Sequence, residues 1–171
     1  MHRGVKFDLE VVRWSVGEAE PIEREVVRHP GSVVVLPILD DGRLVMIRNY
    51  RISVGRELLE LPAGTRNREE ESVLCAAREL EEETGFVAAT LTPLCRFHLS
   101  PGMTDERMHA FVATGLVPSS QRLEVDEAIR PIVLGVAEVL RMIDLGEIED
   151  SKTIAVLLLA ARRGVFEGKN G

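Results

Sequence analysis

The sequence predicts an α/β fold, an α/β/α sandwich on a mixed sheet with a small antiparallel β unit at its N-terminus. Three observations carry this. Ser32–Leu39 is a continuous apolar run with the length and β-branched content of a buried strand. Glu70–Thr84 repeats apolar side chains at the helical period. Strand-like and helical stretches then follow one another to the end of the chain, which favours layers over separate all-α or all-β units.

Taken in order, Phe7–Trp14 and Ile22–Arg28 are β-rich, with Gly17 and Pro21 between them, and read as a hairpin or meander. They have no obvious place in so small a core, so they form a separate sheet or pack on a second copy of the chain. After Ser32–Leu39, Asp40-Asp41-Gly42 is a turn signal. Arg43–Asn49 returns as a strand, and Leu58–Leu61 is a short one stopped by Pro62 and Gly64. In Glu70–Thr84 the apolar stripe is Val73, Leu74, Ala77 and Leu80, and Gly85 is the C-terminal stop. Phe86–Phe97 and Arg107–Thr114 are strand-like around a Ser100–Asp105 loop. A polar loop near 119–126 leads to a strand at Ile129–Leu134. Helices at Ala137–Ile143 and Ser151–Arg162 close the chain, the second with a capped start at Asp150-Ser151-Lys152-Thr153.

With 171 residues, 45% hydrophobic and 29% charged, the chain fits one globular unit and is too apolar for intrinsic disorder. Its longest apolar run, Ile154–Ala161, falls far short of the roughly 20 residues a membrane helix needs. The N-terminus lacks the apolar region of a secretion signal. Cys75 and Cys95 are too few for a disulfide scaffold or a zinc cluster. A cytoplasmic protein without membrane or nucleic-acid partners is expected, since a net charge of −7 disfavours a basic binding surface.

That charge is concentrated. Glu69, Glu70, Glu71, Glu79, Glu81, Glu82 and Glu83 face only Arg78 in the same stretch. Glu79 with Glu82 and Glu83 stand at i, i+3 and i, i+4 on one side of the helix, roughly opposite the Val73/Leu80 stripe. Arg78, four residues before Glu82, is placed to hold it. Such repulsion costs about 0.2–0.5 kcal/mol per pair. A solvated acidic face is one reading. A site for hard divalent cations, which take oxygen ligands, is the other.

The spacing decides between them. From Gly64 the chain reads GTRNREEESVLCAARELEEETGF. This resembles the Nudix box, G-x5-E-x7-R-E-U-x-E-E-x-G-U with U a bulky apolar residue. Gly64, Glu70, Arg78, Glu79, Leu80, Glu82, Glu83, Gly85 and Phe86 match every specified position. The resemblance implies a hydrolase of nucleoside diphosphates linked to another group, dependent on Mg²⁺ or Mn²⁺. It assigns Glu79, Glu82, Glu83 and the Ala63 carbonyl to the metal, and Glu70 and Arg78 to orienting those ligands. A strongly anionic substrate and an acidic helix need such cations between them.

Outside the box, Leu99-Ser100-Pro101-Gly102-Met103-Thr104-Asp105-Glu106 resembles the S-P-G loop of the ADP-ribose and nucleoside-diphosphosugar pyrophosphatase branch. Asn49-Tyr50-Arg51 and Glu57–Gly64 resemble its Q-[YF]-R and E-x-P-A-G stretches, with Asn49 departing from Gln. The likeness spans roughly residues 7–165. It implies a dimerising β region over residues 1–30, a hydrolase domain over 31–171, and a homodimer. Arg51 suits a phosphate or terminal ribose. Pro101, Gly102 and Glu106 are assigned to the substrate side, Glu106 through a hydrogen bond or a metal-bound water.

By its spacing to Ile129, Glu127 resembles the loop acid of the family, which the resemblance places facing the attacking water, with Asp126 and Glu124 as alternates. Catalytic roles thus fall to Glu127, Glu82 and Glu83. Trp14 reads as core or interface packing before base stacking, and Cys75 as a small buried side chain. His98 and His109 flank the S-P-G loop, and Lys152 carries no required chemistry. The expected reaction is Mg²⁺-dependent cleavage of ADP-ribose to AMP and ribose 5-phosphate. The alternatives are another nucleotide sugar such as GDP-mannose and, from a different class, a non-catalytic nucleotide-sugar sensor, which the complete box disfavours.

Overall fold

The computed structural model describes residues 2–4, 6–125 and 127–168, and Asp126 lies outside them. Its elements are β1 (His2–Arg3), β2 (Asp8–Trp14), β3 (Ile22–Arg28), β4 (Ser32–Pro37), β5 (Leu44–Arg51), β6 (Arg56–Glu60), β7 (Ala63–Thr65), α1 (Ser72–Thr84), β8 (Phe86–His98), β9 (Arg107–Pro118), β10 (Ile129–Leu134), α2 (Val136–Asp144) and α3 (Ser151–Arg162). They form three sheets, ordered β1-β2-β3, β10-β5-β6 and β7-β4-β9-β8. The last is mixed, because β4 runs parallel to β9 and antiparallel to β7.

β4 explains its own apolar run. Val33 and Val35 face Cys75, Ala76 and Leu80 of α1, together with Phe111 and Ala113 of β9. Val34 and Leu36 face the other way, into a core shared with Leu44 and Met46 of β5, Leu59 of β6, and Val156, Leu157 and Ala160 of α3. A strand buried on both faces has no polar alternation to show. Truncating a fully buried member such as Leu36 to Ala costs about 2–5 kcal/mol. The Asp40–Gly42 turn forms as read: Leu39 and Arg43 pair through the backbone, Gly42 has φ 81°, and Asp41 accepts from the Arg43 N–H.

The first two predicted strands form a separate sheet. It is tied to the S-P-G loop, where Val27 N–H donates to Met103 O (2.9 Å) and Asp105 N–H to Val27 O (3.2 Å). Asp105 also accepts from Arg28 and from the His29 N–H.

Two expectations need correcting. The box helix starts at Ser72, two residues after Glu70. Glu70 instead closes a turn: its N–H donates to Asn67 O, and its carboxylate accepts from the Asn67 N–H. The buried face of α1 also differs from the predicted stripe. It carries Cys75, Ala76, Glu79, Leu80 and Glu83, while Val73 and Leu74 are exposed. Glu79 and Glu83 therefore lie beside the apolar face, not opposite it. Small side chains at 75 and 76 let α1 lie close on the sheet, which turns the glutamates inward.

Candidate active site

The inward glutamates meet β7. Glu83 Oε2 accepts from the Ala63 N–H at 2.8 Å. A Cβ on Gly64 would lie 1.9 Å from Glu79 Cδ, so only glycine leaves room for that carboxylate. In extended backbone the N–H and C=O of one residue point to the same strand edge, so the Ala63 carbonyl also faces the glutamates.

Arg78 organises the rest. Its Nε and Nη2 reach the two Glu70 oxygens at 3.1 and 3.2 Å. Its Nη1 lies 2.8 Å from Glu79 Oε1 and 2.9 Å from Glu82 Oε2. The guanidinium is driven up in pKa, chiefly by its hydrogen bonds to Glu70. The same bonds hold the Glu70 carboxyl below its usual range.

Glu79 and Glu83 move the other way. Burial pushes Glu79 up to about 7 against the pull of Arg78, with Glu82 and Glu127 adding repulsion. Burial also raises Glu83 well above the ordinary range, helped by Glu79 and Glu127 and opposed by the Ala63 N–H and by Arg51. Glu127 is thus close enough to bear on both.

Among the described residues no three Asp, Glu, His or Cys side chains are grouped so as to hold a metal ion by themselves. What converges is an open set of oxygen donors carrying more negative charge than Arg78 neutralises. That chemistry fits Mg²⁺ or Mn²⁺, which accept carboxylates and keep several waters, and it does not suit a soft metal.

Residues 119–122 fasten to the C-terminal end of α1. Ser119 N–H donates to Gly85 O, Arg122 N–H to Glu82 O (3.0 Å), and Gln121 Nε2 to Glu83 O (2.7 Å). Orphan helix carbonyls are thereby satisfied, and the chain arrives at Glu127, whose Oε2 accepts from the Glu124 N–H. Glu124 itself points to Lys6, 3.9 Å away on the surface.

Arg51 is bidentate to Glu60, Nε to Oε1 at 2.7 Å and Nη2 to Oε2 at 2.6 Å. Glu60 is fully buried, and its Oε2 also accepts from Lys152 Nζ at 2.6 Å. Sequence reasoning placed Glu60 in the E-x-P-A-G stretch without giving it a role, missed Gln121 and assigned Lys152 no chemistry. A charged residue between Leu59 and Leu61, both buried, was the available signal.

Pro101 and Gly102 lie elsewhere, in a cavity of about 270 Å³ with Val26, Arg28 and His98. Glu106 accepts from Ser32 Oγ at 2.5 Å and lies 3.9 Å from His29 Nδ1. No hydrogen bond or ion pair among the described residues joins Pro101, Gly102 or Glu106 to the glutamates of α1. His109 is lowered in pKa by burial and by Arg66, Arg96 and Arg107. Burial raises the Cys75 thiol to about 12, so it is no nucleophile. Trp14 is 56% exposed and takes no part in the core.

A mixed sandwich with a Glu-rich helix laid against an Ala-Gly strand defines a class, and comparison with known proteins agrees. The chain belongs to the Nudix family: residues 28–157 match the NUDIX domain. It is 36% identical to the ADP-ribose pyrophosphatase of Bacillus subtilis (strain 168) over 152 residues, covering 88% of this chain and 82% of that one. It is 38% identical to the methanol dehydrogenase activator of Bacillus methanolicus, covering 89% and 82%. A GDP-mannose pyrophosphatase of Escherichia coli O1:K1 / APEC is 33% identical, covering 82% and 78%. The crystal structure of an ADP compounds hydrolase superposes with a TM-score of 0.81 at 24% identity, over 99% of this chain and 92% of that one, which shows the fold. The protein is a Nudix pyrophosphohydrolase whose relatives include ADP-ribose pyrophosphatases.

Proposed function

We propose that the enzyme cleaves the diphosphate of a nucleoside-diphosphate sugar, with ADP-ribose as the leading substrate and AMP and ribose 5-phosphate as products. The observation that supports this most is the pair of buried carboxylates, Glu79 and Glu83, held against Ala63–Gly64 beside Arg78. Likeness to ADP-ribose pyrophosphatases over most of the chain favours that substrate, and likeness to a GDP-mannose pyrophosphatase keeps GDP-mannose as the second reading.

Glu79, Glu82, Glu83 and the Ala63 carbonyl would hold Mg²⁺ or Mn²⁺. When bound, the cation neutralises the diphosphate, stabilises the leaving phosphate and acidifies water. Arg78 and Glu70 keep the glutamates in register. Glu127 accepts a proton from the attacking water. Water oxygen bonds to phosphorus, the bridging P–O bond breaks, and each product leaves as a phosphomonoester.

Arg51 presents Nη1 to a phosphate, since its other edge is taken by Glu60. Pro101, Gly102 and Glu106 keep the substrate-side role that the resemblance implies, with Glu106 held by a hydrogen bond from Ser32 Oγ. The N-terminal sheet supplies a homodimer contact, supported by exposed Phe7, Val11 and Trp14. The two free cysteines suit a reducing cytoplasm.

The test offers ADP-ribose, GDP-mannose, ADP-glucose and UDP-glucose in parallel with Mg²⁺, with Glu83→Gln as blank. ADP-ribose is expected to lead in kcat/KM by about tenfold or more, a transition-state difference of about 1.4 kcal/mol. Leadership by another sugar would move the substrate assignment. Tight binding without turnover would favour a sensor.

A further inference from the structure

Behind Arg51 lies a row of charges that the reaction itself does not require. Arg51, Glu60, Lys152 and Asp150 alternate in sign. Lys152 Nζ sits 2.6 Å from Glu60 Oε2 and 2.8 Å from Asp150 Oδ1, and its side chain is 8% exposed. Asp150 is fixed in turn as the cap of α3, accepting from the Thr153 N–H at 2.9 Å. Thr153 Oγ1 accepts from the Leu61 N–H at 2.9 Å, so the end of β6 and the first turn of α3 are bonded side by side.

We propose that Lys152 is a positioning residue for substrate binding: acting through the buried Glu60, it fixes the aim of Arg51 and balances the buried carboxylate that grips it. The inference rests on the reading of Arg51 as a phosphate-binding group. Three features carry it. One oxygen, Glu60 Oε2, serves both cations, so Lys152 anchors from behind the same carboxylate that grips Arg51 in front. Glu60 has no exposure to water, and among the described residues Arg51 and Lys152 are the side chains that orient it. Arg51 is 38% exposed at its side chain and Glu60 takes its Nε and Nη2, so Nη1 is the edge left to a ligand, and the guanidinium is near enough to Glu83 to feel its charge.

The charge balance gives the direction of the effect. With four members the row is neutral. Without Lys152 it carries one net negative charge beside a site that must attract a diphosphate. A buried ion pair robbed of one partner is also strongly destabilising, whereas a complete one is roughly neutral to folding. The row is therefore better explained by what it does to Arg51 than by what it adds to stability. Arginine forks lose value when their plane is not held, because bidentate recognition is a matter of direction as well as charge.

The test combines kinetics with a side-chain probe. Lys152→Met is expected to raise KM for the preferred nucleoside-diphosphate sugar by about tenfold, with kcat nearly unchanged, the pattern of lost uniform binding. Lys152→Arg restores most of the loss. In an Arg51→Ala background Lys152→Met adds no further rise in KM, since the two act as one unit. Thr153→Val, which removes the Leu61 bond but no charge, lowers Tm and leaves KM in place.

A Lys152→Met variant with normal KM and lowered Tm overturns the proposal, as does full additivity with Arg51→Ala, or an equal KM rise in Thr153→Val. Should Lys152→Met not fold, Lys152→Gln is read in its place. Proton exchange at Arg51 Nε, followed by NMR without any substrate, separates this inference from the functional reading. Exchange is expected to quicken in Lys152→Met and to recover in Lys152→Arg. Unchanged exchange sinks the relay whatever the enzyme cleaves, while absent turnover in wild type sinks only the functional reading.

Discussion

At the scale of residues, the site depends on contacts that leave no spare room. Gly64 is the sharpest case. Gly64→Ala places a methyl on the Glu79 carboxyl, the movable end of a flexible side chain. The expected outcome is a Tm close to wild type and kcat/KM down by about 10²-fold, because displacement of a catalytic group by about 1 Å costs that much. Glu83→Gln is expected to lower kcat by about 10²–10⁴-fold, the range of a lost acid–base or electrostatic group. The same change removes a buried charge, so the metal-free Tm holds or rises; a collapse in Tm would instead mark Glu83 as structural.

The box glutamates were legible in the sequence because their spacing matches the Nudix box, whereas helix periodicity alone set them on the wrong side of α1. Glu60, Lys152 and Gln121 were not, because their roles depend on which strand and helix ends the fold brings together. Arg51 was legible as a phosphate candidate, but its grip on Glu60 was not.

At the scale of elements, strands and helices followed periodicity closely; α3 spans Ser151–Arg162 as read from its cap and stop. The start of α1 was misplaced because propensity favours a helix through Glu70, while a side-chain bond to the Asn67 N–H closes a turn there. The three-residue β7 was invisible to periodicity, yet it supplies Ala63 and Gly64. The stripe was misjudged because small Cys75 and Ala76 pack the sheet where larger Val73 and Leu74 do not.

The clasp between β3 and the S-P-G loop carries a pH prediction. Burial raises the Asp105 carboxyl, but hydrogen bonds from the His29 N–H and Arg28 outweigh it and leave the pKa lowered. A carboxylate depressed on folding contributes stability above its unfolded pKa of about 3.9 and loses it as pH falls through the folded value. Hydrogen exchange of β3 amides, corrected for intrinsic rates, is therefore expected to show protection lost below about pH 4. In Asp105→Asn that acid step disappears; a wild-type β3 with constant protection through the range would refute the clasp.

For the whole molecule, α1 on one face of the mixed sheet and α3 on the other enclose two cores, and the glutamate site opens at the edge of the first. The N-terminal sheet leaves apolar side chains uncovered on both of its faces, including Val11 and Trp14. Light scattering is expected to give twice the chain mass, reduced to one chain in Val11→Ser/Trp14→Ser; a wild-type monomer contradicts the homodimer.

The buried glutamates also tie global stability to metal. Burial raises Glu79 from 4.5 to about 7. A carboxyl with a raised folded pKa contributes stability below its unfolded value and loses it as pH rises through the folded one. The metal-free Tm is thus expected to fall between about pH 5 and pH 8, and Mg²⁺ to restore it mainly at the upper end, where the ligands are ionised. A Mg²⁺ effect larger at low pH would reverse that sign.

The most direct test of the central claim is phosphorus NMR of ADP-ribose with the metal-stripped enzyme, before and after Mg²⁺ is added. The diphosphate signals are expected to persist until Mg²⁺ arrives. They then give way to two phosphomonoesters, AMP and ribose 5-phosphate, with no inorganic phosphate, and Glu83→Gln leaves them intact. Equal cleavage in the presence of chelator, release of inorganic phosphate, or full activity in Glu83→Gln would contradict a metal-charged glutamate helix as the seat of the reaction.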